Sequence, residues 1–113
     1  TLMRSSAASD VYKRQALIVI ADTISVRITQ LLHYYQLSVP DDISIITFNN
    51  SSYSTLIHPY LTTFDINITN LGRTSFRRLL ELIKSPKTSI TEKIIVPFIL
   101  RERESVRQIS GEE

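Results

Sequence analysis

The chain has 113 residues, of which 42% are hydrophobic and 21% charged, with two glycines, no cysteine and no tryptophan. That is enough for one domain or a piece of one and too apolar for a wholly disordered chain. The lack of cysteine excludes a disulfide framework, a thiolate zinc site and a cysteine nucleophile. Thirteen Lys/Arg against eleven Asp/Glu give a formal charge of +2. Three of the former and one of the latter lie in the first fifteen residues, so the remainder carries ten of each and makes no electrostatic case for nucleic acid.

Residues 1–15, TLMRSSAASDVYKRQ, have neither a helical period nor strand alternation, and they lack the apolar stretch of a signal peptide. SSAASDVYKRQ resembles a translated sequencing linker. The segment is read as a non-native or disordered leader, and the natural N-terminus is expected to be missing. Ala16–Ile20 (ALIVI) is an apolar, β-branched run and reads as a strand covered on both faces. Asp22 or Thr23 offers a cap for a helix over about 22–36, with Ile24, Ile28, Leu31, Leu32 and Tyr35 as its apolar stripe.

Val39-Pro40-Asp41-Asp42 is a turn. Ile43–Phe48 (ISIITF) is a second buried strand, followed by the polar cluster Asn49-Asn50-Ser51-Ser52. Tyr53–Ile57 reads as one helical turn and Leu61–Ile66 as a short extended segment. Ile68, Leu71, Phe76, Leu79, Leu80 and Ile83 mark a helix over about 68–84, ended by Ser85-Pro86. Ile94–Leu100 (IIVPFIL) reads as a last strand with Pro97 at an edge or bulge. Residues 104–113 read as a frayed, disordered tail. No apolar run approaches the ~20 residues of a membrane-spanning helix.

Strands alternating with helices predict an α/β fold, a parallel sheet with flanking helices and right-handed crossovers. Ligands of such sheets collect beyond the carboxyl ends of the strands, and two of those ends are polar: Ala21-Asp22 and Asn49-Asn50. The asparagines fit turn chemistry, since Asn tolerates left-handed backbone. They equally fit recognition of a polyol, since an amide both donates and accepts. Local sequence leaves both readings open.

Catalytic and metal chemistry find little support. Two glycines preclude a G-x-G-x-x-G or P-loop motif. His33 and His58 lack an acidic neighbour in sequence, so no metal site is expected. Ser51, His58 and Asp65 make a triad only on paper, without a nucleophile elbow. Arg73, Arg77 and Arg78 read as an exposed helix face. No catalytic residue and no cofactor is expected.

Four strings occur in order: Ile18-Val19-Ile20-Ala21-Asp22; Leu37 to Asn50 (LSVPDDISIITFNN); Pro59-Tyr60-Leu61-Thr62-Thr63; and Leu71-Gly72. From about 16 to 103 the chain resembles the C-terminal part of the effector-binding region of LacI/GalR-family bacterial repressors. The resemblance implies a partial periplasmic-binding-protein-like fold. Residues 16–65 would belong to the C-terminal subdomain, 66–90 to a crossover and a helix of the N-terminal subdomain, and 91–103 to a returning strand.

It also implies a small-molecule effector, with a sugar such as galactose or a galactoside suggested by Asp22, the Asn-Asn pair and TTFDINI. The effector-contacting positions would be Ala21, Asp22, Asn49, Asn50 and Ile66. Three depart from the family pattern: Ala21 stands for the usual Asn, Asn49 for the gripping carboxylate, and Ile66 for a polar contact. Val26 and Ile57 would lie at a homodimer interface. Operator DNA would be bound only by a helix-turn-helix missing from this chain, in a cytoplasmic protein without membrane contact. The rival readings are a sugar-binding protein of the same fold without a DNA role, and an α/β enzyme.

Overall fold

The computed structural model describes residues 16–88 and 90–109, so the leader and the last four residues lie outside it. The elements in chain order are β1 (Ala16–Ile18), α1 (Asp22–Tyr34), β2 (Ser44–Phe48), a 3-10 turn (Ser52–Thr55), β3 (Thr62–Asp65), α2 (Ile68–Lys84) and β4 (Ile99–Arg101). The four strands form one sheet in the order β1-β2-β3-β4. β1, β2 and β3 pair in parallel, with Leu17 opposite Ile45 and Thr47 opposite Thr63. β4 runs antiparallel to β3, with Leu100 opposite Phe64. The α/β class holds, but the sheet is mixed rather than wholly parallel.

The register puts Leu17, Val19, Ile45, Leu61 and Thr63 on one face. α1 covers that face: Val19, Ile45 and Leu61 form the buried core, with Leu17, Val26, Ile28, Leu32 and Val39 packed against it. Of the expected α1 stripe only Ile28 and Leu32 pack on the core; Ile24, Leu31 and Tyr35 are exposed. Ser25 and Thr29 are buried in their place. Their hydroxyls donate to the carbonyls one turn back, Ser25 Oγ to Ala21 O at 3.1 Å and Thr29 Oγ1 to Ser25 O at 2.8 Å. Back-bonded small hydroxyls cost little when buried and present little bulk to the sheet.

The second face of the sheet is open. Ile18 is 73% exposed and Ile20 76%, so β1 is not covered on both sides. Phe48 stacks on Phe64, and Phe98 meets Phe64 edge-on, which shields part of that face. α2 has a strong apolar stripe yet buries no residue. The segment 92–96 runs beside it, with Ile94 and Val96 facing Leu71, Leu79 and Leu82 across a shallow groove. The strand expected over 94–100 is therefore confined to Ile99–Arg101. Residues 90–98 have no regular structure: Ile94 and Val96 face α2 rather than the sheet, and Pro97 has no N–H to give a ladder at its own position.

The segment read as a frayed tail is anchored as far as Arg107. Glu104 N donates to Tyr60 O at 3.0 Å, and Arg107 N donates to Ser44 Oγ at 3.0 Å. Ser105 is fully buried. Its carbonyl accepts from Ile45 N at 2.8 Å, while its hydroxyl accepts from Thr62 N at 2.8 Å and donates to Ile45 O at 2.5 Å. The hydroxyl thus replaces a direct rung of the β2–β3 ladder where the two strands begin.

Candidate functional site

Because β1, β2 and β3 are adjacent and parallel, their carboxyl ends lie side by side. They bring together Ala21-Asp22, Asn49-Asn50 and Ile66-Asn67. This is the juncture where open α/β sheets take ligands, and all five residues singled out from sequence stand on it or in its support.

Their roles differ. Ala21 is the extended residue before α1, and Asp22 is the first-turn acid of that helix. Asp22 is 1% exposed. Its Oδ2 accepts from Ser51 N at 2.5 Å and Ser51 Oγ at 2.7 Å, and its Oδ1 accepts from Thr63 Oγ1 at 3.2 Å. The helix N-terminus and three donors make a buried carboxylate tenable without a cation. Asp22 is thus spent on tying the strand ends together, and it presents no free oxygen to a ligand.

Asn49 is the opposite case. Its backbone N–H extends the ladder to Phe64 O at 2.9 Å, and its φ of 97° lies in the left-handed region. Among the described residues its side-chain amide has no hydrogen-bond partner, and it is half-buried. Asn50, also left-handed at φ 49°, is fully engaged: Nδ2 donates to Asp65 Oδ2 at 3.1 Å, and Oδ1 accepts from Arg103 Nη2 at 2.6 Å. Turn chemistry therefore accounts for the backbone of both residues, while only Asn49 keeps a free amide. Ile66 is half-buried just after β3 and adds an apolar patch.

Asp65 closes the arrangement. Its Oδ1 accepts from Asn67 N at 2.9 Å, and its Oδ2 accepts from Arg101 Nε at 3.3 Å. The Asn67 N–H, with Arg101 and Asn50, outweighs the opposing effect of burial and holds this carboxyl below its usual range. Sequence reading missed Arg101 and Arg103, which lie 36 and 53 positions from Asp65 and Asn50 and carry no local signal.

The paper triad is not assembled. Ser51 serves Asp22, and His58 Nδ1 lies 2.8 Å from Glu104 Oε2. Glu104 also accepts from Tyr60 N at 3.0 Å. The His58 contact first, then the Tyr60 N–H, lower the Glu104 pKa. His33 and His58 line one groove with Ile57 beside the end of α1, and no group of three or more metal-ligand side chains occurs among the described residues. Val26 packs partly on the core. Arg78 is engaged by Glu81, Glu92 and the Ile90 carbonyl. No helix among the described residues is long and apolar enough to cross a membrane.

A mostly parallel sheet with one helix-covered face and a polar cluster at its parallel strand ends is the build of part of an open α/β domain. The chain belongs to the periplasmic binding protein-like domain family, whose profile matches residues 2–106. Its form within that family is the LacI type. It is 33% identical over 88 residues to the HTH-type transcriptional regulator GanR of Bacillus subtilis, covering 75% of this chain and 27% of that protein.

Two crystal structures share the fold. A LacI family transcriptional regulator from Enterococcus faecium with bound ribose superposes with a TM-score of 0.76 at 29% identity, over 85% of this chain and 36% of that one. A periplasmic binding protein/LacI transcriptional regulator from Alkaliphilus metalliredigens, complexed with D-xylulofuranose, gives 0.74 at 26% identity, over 94% and 40%. The chain spans about a quarter to two fifths of the length of these relatives.

Proposed function

We propose that the chain forms one wall of the effector cleft of a sugar-responsive transcriptional repressor of the LacI type. The observation that carries this reading is the free Asn49 amide at the aligned ends of three parallel strands. The fold is shared with regulators that hold a pentose, and an amide suits hydroxyl groups because it can donate to one and accept from another. Ala21 and Ile66 flank it as small and apolar surface for the C–H face of a sugar ring. Asp22 and Asn50 act behind it.

In this reading residues 16–65 belong to one subdomain, 66–90 cross to the other, and 91–103 return. Val26 and Ile57 lie toward a second copy of the chain. DNA is held by a helix-turn-helix outside these residues, in the cytoplasm, and effector binding alters DNA affinity by shifting the two subdomains. A galactose-type sugar is the first candidate. That curated relatives are regulators and repressors favours this reading over a sugar-binding protein with no DNA role.

The test is calorimetric titration of the product of the complete reading frame with galactose, β-galactosides, pentoses and purines. A sugar is expected to bind, and Asn49→Ala is expected to weaken it about tenfold, the ~1.4 kcal/mol of one hydrogen bond. Binding of purines alone, or sugar binding indifferent to Asn49→Ala, would refute the assignment.

A further inference from the structure

Asn50 lies between a cation and an anion. Its Oδ1 meets Arg103 Nη2 at 2.6 Å and Ser54 Oγ at 3.4 Å, and its Nδ2 meets Asp65 Oδ2 at 3.1 Å. One end must accept and the other must donate, and at this side-chain length an amide meets both demands while a carboxylate does not. The partners are themselves fixed. Arg103 Nη1 donates to Leu61 O at 3.0 Å and Ser54 Oγ at 3.1 Å, and its backbone N–H donates to Thr62 Oγ1 at 2.9 Å. Asp65 is held by Asn67 N and Arg101 Nε.

A continuous chain, Arg103–Asn50–Asp65–Arg101, therefore runs from the segment after β4 across the tip of β2, to the end of β3 and back into β4. Asn49 and Asn50 both have positive φ, a conformation Asn tolerates, and the side-chain contacts of Asn50 add a long-range tie to that locally allowed turn.

We propose that Asn50 is a positioning residue for effector recognition: clamped between Arg103 and Asp65, it fixes the left-handed turn that presents the Asn49 amide, and it ties that turn to the β3–β4 pair. This rests on Asn49 being the effector contact. A shift of the β3–β4 pair and a change in the aim of Asn49 are then linked, because Asn50 releases Asp65 or Arg103 only by giving up a part-buried hydrogen bond to a charged group.

The test is a swap. Asn50→Asp keeps the acceptor for Arg103 but places a second carboxylate oxygen against Asp65. It is expected to weaken sugar binding by the complete gene product at least tenfold. Asp65→Asn added to Asn50→Asp restores a donor facing an acceptor but gives up the Arg101 Nε contact made by the same oxygen, and is expected to recover part of the affinity, at least threefold over Asn50→Asp. Arg103→Met is expected to weaken binding without recovery by Asp65→Asn. Wild-type affinity in Asn50→Asp, or no recovery in the double variant, overturns the proposal, as does a loss of melting temperature with unchanged affinity.

Should the unaltered protein bind no sugar, the proposed function falls by itself. The clamp is then judged on the Asn49 side-chain amide resonances: displacement in Asn50→Asp and return in the double variant uphold it, and unmoved resonances overturn it.

Discussion

Ser105→Ala tests how the sheet is held at its base. The hydroxyl accepts from Thr62 N and donates to Ile45 O, and Ile45, Thr62 and Ser105 are all buried. Alanine removes one oxygen and strands two backbone groups that β2 and β3 do not satisfy for each other at this point. Each unmet buried group costs about 1–3 kcal/mol. Allowing for some closure of the strands, the loss is about 3 kcal/mol, large against the 5–15 kcal/mol that is typical of whole domains. In urea, with a slope of about 1.5 kcal/mol/M, the midpoint falls by roughly 2 M at unchanged slope. The Thr62 amide, whose acceptor is removed, loses hydrogen-exchange protection first, while the Ile45 amide keeps the Ser105 carbonyl. A midpoint within ~0.3 M of wild type would show that the hydroxyl bridge contributes nothing net, and the reasoning about the base of the sheet would be refuted.

Other substitutions probe the strand ends. Asp22→Ala removes the acceptor of three hydrogen bonds and is expected to cost about 3 kcal/mol by denaturation, with Asp22→Asn milder at about 1 kcal/mol because one oxygen still serves Ser51. Equal effects would contradict the assigned contacts. Thr47 is fully buried and its hydroxyl has no partner among the described residues, so Thr47→Val is expected to raise stability by about 1 kcal/mol, and a lower midpoint would reveal an unseen partner. Asp65 and Glu104 both have folded pKa values below their ordinary 3.8 and 4.5. Their contribution is present above those values and lost as pH falls through the depressed ones. Asp65→Asn with Glu104→Gln is therefore expected to flatten the loss of stability below about pH 4.5 in an acid-melting series.

The parts legible in the sequence are those governed by neighbours along the chain. β2 reads from ISIITF, α2 from its 3.6-residue period over Ile68–Lys84, and the strand-end cluster from the polar pair that stops an apolar run. Asn49 was recognisable as a ligand contact candidate through the family resemblance, although its free amide becomes visible only when every nearby donor is accounted for. What was illegible depends on distant partners. Asp22 looks like a helix-start acid or a ligand contact until Ser51 and Thr63, 29 and 41 positions on, are seen to occupy it. Glu104 and Ser105 look like the start of a solvated tail, yet they reach back 46 and 60 positions, and Arg103 just before them reaches back 42. IIVPFIL has strand composition, but its first half faces α2, and no ladder forms there.

The bare stripe of α2 has a consequence for how the molecule breathes. Its seventeen residues bury none of their side chains, so the helix depends on its own propensity and on the ribbon at 92–96, whereas β2 has neighbours on both edges. Helices without tertiary support are marginal at this length. Opening of α2 is therefore cheap and local. In this chain taken by itself, deuterium is expected to enter α2, and proteases to nick it, before the three parallel strands and the Asn49 turn open.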